Sequence, residues 1–142
     1  LASLAGQEVA VSGWIDMTQE RIGTFADATN DHQWIHVDVE RARRESPFGA
    51  PVAHGFLTLA LLPAMLESAL RVRKLRMIIN YGVNKVRFPA PVLAGARVRG
   101  RFTLASSEAV ADGTQFTWSV VVEAEGQPKP ACAAELVIRM YA

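Results

Sequence analysis

Three runs of strict alternation fill the second half of this chain and constrain its fold more than any other feature. From Ala96 to Leu104 the even positions Ala96, Val98, Gly100, Phe102 and Leu104 are apolar or small, while Arg97, Arg99, Arg101 and Thr103 are polar. Phe116, Trp118, Val120, Val122 and Ala124 repeat the pattern, and so do Cys132, Ala134, Leu136, Ile138 and Met140. A period of two puts every apolar side chain of a run on one face of a pleated strand. Between the runs lie Ala111-Asp-Gly-Thr114 and Glu125-Gly-Gln-Pro128, both turn sequences. The spacing predicts an antiparallel meander with one buried face. Arg76 to Phe88 supplies at least one further strand, interrupted near Tyr81-Gly82, and Glu8 to Trp14 is a short β-prone run.

The first half changes period. Asp16 or Thr18 can cap a helix to about Thr29, with Ile22, Phe25, Ala26 and Thr29 at helical spacing. That helix stops near Asn30, and Asp38 caps a short turn through Arg44. Ser46-Pro-Phe-Gly-Ala-Pro51 is a loop by its proline and glycine content. His54 to Leu70 reads as a long helix that is apolar nearly all round, hence buried, with a kink or break at Pro63. A sheet with one face covered by a buried helix is an α+β architecture.

The chain has 142 residues, which fits one domain over residues 1–142. Its net charge of +1 argues against the broad basic footprint that nucleic acid requires, but leaves room for one anionic small molecule held by a few Arg or Lys. The most apolar run, Phe56 to Leu66, has 11 residues. A bilayer needs about 20, so no membrane partner is expected. Cys132 is the single cysteine, which forbids an intrachain disulfide and fits a reducing compartment. Leu1 opens the chain without Met, and nothing near it has the charged start and apolar middle of a signal peptide. The expectation is a soluble, cytoplasmic protein.

The chemistry concentrates in Ala28-Thr-Asn-Asp-His-Gln-Trp-Ile-His36, where Asp31 and His36 put a carboxylate and an imidazole five positions apart. Such a pair can take a proton from water and return it elsewhere. An isolated Asp after a helix also caps turns, so spacing alone leaves both readings open. Other polar residues have simpler uses. His32 reads as a solvated loop residue, His54 as a hydrogen bonder at the start of its helix, and Trp34 as packing. Asn80 serves strand backbone as well as chemistry. Arg41, Arg43 and Arg44 form a wet helical face, and Arg97, Arg99 and Arg101 a wet strand face. Cys132 alternates with core residues and reads as one of them. The three histidines lie at 32, 36 and 54 with neither a Glu at zinc-hydrolase spacing nor a cysteine cluster, so no metal site is expected.

Three separated segments carry a family resemblance. Asp31-His-Gln-Trp-Ile-His36 followed by Ala53-His-Gly-Phe-Leu-Thr58 resembles the signature of the MaoC-like dehydratases, also called R-specific enoyl-CoA hydratases or hydratase 2. Ile79-Asn-Tyr-Gly-Val-Asn-Lys-Val-Arg-Phe-Pro-Ala-Pro91 is similar to the branch that includes the nodulation protein N-like hydratases. The likeness runs from about Gly13 to the end. It departs where the family motif has Gly before Asp and Asn-Pro before the hydrophobic residue; here Asn30 and Gln33-Trp34 stand instead.

The resemblance implies a hotdog fold, a curved antiparallel sheet wrapped around a long apolar helix. It implies syn addition of water across a trans-2-enoyl-CoA to give an (R)-3-hydroxyacyl-CoA, reversibly, without metal or redox cofactor. It also implies a homodimer with sheets paired edge to edge. On the matching positions, Asp31 draws the proton from a water that His36 positions, and the backbone N–H of Gly55 meets the thioester oxygen. By charge and by their place in the third segment alone, Asn84 is expected to hydrogen-bond near the pair, and Lys85 or Arg87 to meet the CoA phosphates. Two other functions compete: an acyl-CoA thioesterase on the same fold, and a non-catalytic acyl-CoA-binding subunit.

Overall fold

The computed structural model describes residues 1–142, and its elements follow the two periodicities. After a short 3₁₀ turn, Ala2–Leu4, come β1 (Glu8–Val11) and β2 (Ile15–Asp16), then helices α1 (Gln19–Thr29), α2 (Trp34–Val37), α3 (Val39–Glu45), α4 (Gly55–Ala60) and α5 (Leu62–Ala69). The chain ends in β3 (Met77–Arg87), β4 (Arg97–Val110), β5 (Gly113–Ala124) and β6 (Cys132–Tyr141). The strands make one antiparallel sheet in the order β1-β4-β5-β6-β3, with β2 also on β4.

The alternating residues do what their spacing predicts. Val98, Phe102, Leu104, Trp118, Val120, Val122 and Ile138 are almost wholly buried and form one core with Leu62, Met65 and Leu66 of α5. Burying side chains of this size contributes about 1.5–3 kcal/mol each before entropy is counted. Gly100 occupies an inward position for steric reasons. A Cβ there would stand 2.9 Å from the Phe102 ring and 3.0 Å from Met65 Sδ, so its absence lets α5 lie on β4. Cys132 is buried in the same layer, and desolvation pushes its thiol up to about 11, which leaves it inert as a nucleophile.

Caps also match. Thr18 Oγ1 accepts from the Arg21 N–H at 3.0 Å, and Asp38 Oδ1 from the Arg41 N–H at 3.1 Å. Asn30 ends α1 in the left-handed conformation (φ 58°), with the Asp31 N–H bonded back to the Ala26 carbonyl. That six-to-one bond closes a helix terminus and turns the chain sharply.

The long apolar helix is divided. Pro63 has no N–H to give the Leu59 carbonyl, and α4 ends at Ala60 with α5 beginning at Leu62. Nor is the rod buried all round within one chain. Leu57, Thr58, Leu62, Met65 and Leu66 face the core, while Phe56, Ala60 and Ala64 form an exposed apolar stripe. The interruption expected near Tyr81-Gly82 is a register shift in β3 between Asn80 and Gly82. Beyond it, β3 leaves one edge of the sheet unpaired, and Met77, Ile79, Tyr81 and Val83 are exposed along it.

Candidate functional site

Two chain segments far apart in sequence meet where the sheet leaves room at the start of α4. The left-handed turn at Asn30 sends Asp31 toward the strap Pro51–Ala53, which leads into α4. That strap is fixed on both sides. The Val52 N–H donates to the Ile35 carbonyl at 3.0 Å, and the Ala53 N–H to the Val92 carbonyl at 2.8 Å.

The strap also sets the state of His36. Its Nδ1 lies 2.7 Å from the Val52 carbonyl, which can only accept, so Nδ1 carries the proton and Nε2 keeps its lone pair. Gln19 holds the other side by donating from Nε2 to the His36 carbonyl at 2.8 Å. The His36 ring is buried, and desolvation is the main cause that moves it below its ordinary value of 6.5; His54 adds to the effect, while the Val52 bond and Asp31 oppose it.

His54 is the residue that sequence reading undervalued. It caps no N–H of its own helix. Its Nε2 donates instead to the backbone carbonyl of Asp31 at 2.9 Å, and its ring stacks on His36 with centroids 3.7 Å apart and 23° between planes. Phe25 of α1 touches its ring at 4.9 Å. The sequence signals were its place in the Ala53–Thr58 segment of the family signature and its position at a helix start, and neither named the Asp31 carbonyl as its partner.

Asp31 is half exposed, and its Oδ2 lies 4.0 Å from His54 Nε2. A carboxylate oxygen of Asp31 and ring nitrogens of His36 and His54 all lie within 4.8 Å of one another. That separation suits one bridging water making two hydrogen bonds of about 2.8 Å. It also makes these three the side chains best placed to share a cation. The hydrogen bonds argue against that use: the His54 nitrogen beside the carboxylate already gives its proton to a carbonyl, and it would have to abandon that bond to become a ligand.

A cavity of about 300 Å³ opens at His36 and is lined also by Gly55, Thr58, Phe48 and Phe88. Gly55 is the first residue of α4, and its N–H has no acceptor within the helix. Phe88 sits against it. A Cβ at Gly55 would stand 2.7 Å from Phe88 Cδ2, so glycine is required there on steric grounds alone. Phe88 itself was not singled out from the sequence. Asn84 is opposite Glu135 on β6, and neither it nor Lys85 nor Arg87 lines the cavity at His36 within one chain. Lys85 adopts a left-handed conformation (φ 52°) inside the register shift between Asn84 and Arg87. A second cavity of about 580 Å³ lies at the other end of the rod, between α5 and the inner faces of β3 and β6, and is lined by Pro63, Leu66, Ile78, Asn80 and Ile138 among others.

Residues 1–125 match the MaoC like domain family. The chain belongs to the MaoC-like dehydratases. It is 53% identical over 143 residues to 3-hydroxyacyl-thioester dehydratase Z of Mycobacterium tuberculosis, covering all of this chain and 94% of that one. To nodulation protein N of Rhizobium meliloti it is 49% identical over 139 residues, 96% of this chain and 86% of the other. Its fold is similar to the (R)-hydratase from A. caviae involved in PHA biosynthesis, with a TM-score of 0.73 at 21% identity over 94% of each chain. The MaoC-like dehydratase from Rhodospirillum rubrum superposes with a TM-score of 0.78 at 22% identity, over 96% of this chain and 92% of that one. The hotdog architecture and the hydratase/dehydratase class of this MaoC-like chain rest on these likenesses and on the six-stranded sheet. No helix in it is long and apolar enough to cross a membrane.

Proposed function

We propose that this protein catalyses reversible hydration of a trans-2-enoyl-CoA to an (R)-3-hydroxyacyl-CoA. One observation carries the reading: a half-exposed carboxylate and a buried, neutral imidazole lie within 4.8 Å of each other, and that imidazole lines a cavity with the first N–H of α4. In this reading Asp31 and His36 hold one water between them. Asp31 draws its proton as oxygen attacks the β-carbon, and the α-carbon regains a proton from the pair. The lone pair on His36 Nε2 accepts from the water. Negative charge moves onto the thioester oxygen, where the Gly55 N–H donates; a donor of this kind lowers the barrier by about 3–4 kcal/mol.

The acyl tail runs along the apolar rod, and the cavity at Pro63 and Leu66 is the space available for a longer one. The CoA moiety lies toward the end of β3, where Lys85 and Arg87 are exposed just before Phe88 and can meet its phosphates; Asn84 is a polar contact on the same strand. No metal or redox group enters the scheme. The unpaired, apolar edge of β3 and the exposed Phe56, Ala60 and Ala64 stripe favour a homodimer joined along that edge. A cytoplasmic setting suits the single buried thiol.

The test uses crotonyl-CoA with two readouts, loss of enoyl absorbance and release of free thiol. Enoyl loss without thiol, giving the R alcohol, is the expected result. Thiol release without hydration would move the chain to the thioesterases, and tight binding without turnover would make it an acyl-binding subunit.

A further inference from the structure

His54 has no place in the hydration scheme, yet it touches both members of the Asp31–His36 pair. It is only 2% exposed, and its ring meets those of both His36 and Phe25. Its Nε2–H ends on the Asp31 carbonyl. Its Nδ1 is buried with no hydrogen-bond partner. That arrangement fixes its protonation. The carbonyl accepts only, so the proton is on Nε2, and Nδ1 keeps a lone pair.

The two rings therefore have opposite tautomers, each set by a backbone carbonyl: Nδ1–H for His36 against Val52, Nε2–H for His54 against Asp31. Rings stacked 3.7 Å apart cannot both be cationic without strong repulsion. The other groups around them do not supply a compensating charge except one. The loop after α1 presents the Asp31 carboxylate; α1 presents the neutral Phe25 ring and Gln19 amide; the strap presents only the Val52 carbonyl.

We propose that His54 is a positioning residue for this site: its Nε2–H pins the main chain of Asp31, and its ring, stacked on His36, holds that imidazole in the orientation its Val52 bond sets. The inference rests on the hydration reading above. Its first part predicts an effect on turnover, because a displacement of about 1 Å at a reacting group can cost 10²-fold. Its second part, the stacked ring, predicts a smaller loss when the ring goes and the donor stays.

Two variants separate the parts. His54→Phe keeps a stacked ring and loses the donor. His54→Gln keeps an N–H for the Asp31 carbonyl and loses the titratable ring. With crotonyl-CoA, His54→Phe is expected to lower kcat by about 10²-fold with little change in KM. His54→Gln is expected to recover most of that loss. Both variants matching the parent in rate, or falling equally, would reduce His54 to packing and overturn the proposal. Should either variant fail to fold, nitrogen-15 spectra of the parent decide: Nδ1–H on His36 and Nε2–H on His54 support it, and the reverse tautomers refute it. This readout needs no turnover. A parent that hydrates no enoyl thioester therefore sinks the function while the tautomers still judge the positioning.

Discussion

The outer face of β4 and β5 and the bend around Asp31 are both rich in polar groups, and they are arranged in opposite ways. On the sheet, Arg99 and Arg101 donate to the two oxygens of Glu123 at 2.7 and 2.6 Å, Arg101 also reaches Glu8, and Arg97 bonds Glu125. Arg97 and Arg99 lie over the Trp14 ring as well. The carboxyl of Glu123 is held below its ordinary value by those guanidinium hydrogen bonds. Every charge there already has a partner. At the bend, the donors are used on carbonyls, while the Asp31 carboxylate and His36 Nε2 are left without a protein partner, with His36 lining a cavity. Charges paired with one another hold a surface; acceptors kept unpaired have something left to give a substrate.

The contrast breaks first at the bend. Asp31→Asn or His36→Gln should lower the hydration rate by about 10²–10⁴-fold, the usual yield of a positioned acid–base group. Asp31→Asn should do so with little change in melting temperature, since that side chain is half exposed. Parent-like rates in both variants would leave the bend no more chemical than the sheet face.

Gly55→Ala should reduce turnover by roughly tenfold or more, because a carbon 2.7 Å from Phe88 Cδ2 forces the ring to move into or out of the cavity. Part of that loss should disappear in a Phe88→Ala background, which removes the clash and leaves any oxyanion effect; a double-mutant cycle measures the share. Equal losses in both backgrounds would take Phe88 out of the account.

A smaller effect follows from the protonation of His36. Its folded-state value lies below the unfolded 6.5, so the native state resists a proton that the unfolded chain accepts. The His36 contribution is intact above pH 6.5 and is lost as pH falls from there through the folded value. Denaturant titrations should therefore show stability falling on acidification below that point, and less steeply in His36→Gln.

The smallest change is expected on the sheet. Glu123→Gln removes the hub of the ion-pair ladder, yet activity should stay within about twofold and stability should fall by no more than about 1 kcal/mol, as partly exposed surface pairs contribute little. A large loss of rate there would show that the two regions are coupled.

Much of this was legible in the chain itself. The period of two along Val98–Leu104, Phe116–Ala124 and Cys132–Met140 determined three strands, their order and their buried face, because adjacent runs joined by short turns have few other ways to hide one side. Thr18, Asn30, Asp38 and Pro63 marked helix limits for the same reason: caps and breaks act on backbone groups within a few residues. Asp31 and His36 were visible because they lie five positions apart. His54 and Phe88 were not. The first bonds to a carbonyl 23 positions earlier, and the second covers a glycine on another element. Neither contact has a local spacing; both exist only because the strap Pro51–Ala53 is stitched to α2 on one side and to Val92 on the other. Sequence patterns report what is near along the backbone, whereas the proton positions on two facing imidazoles depend on which carbonyls folding brings to them.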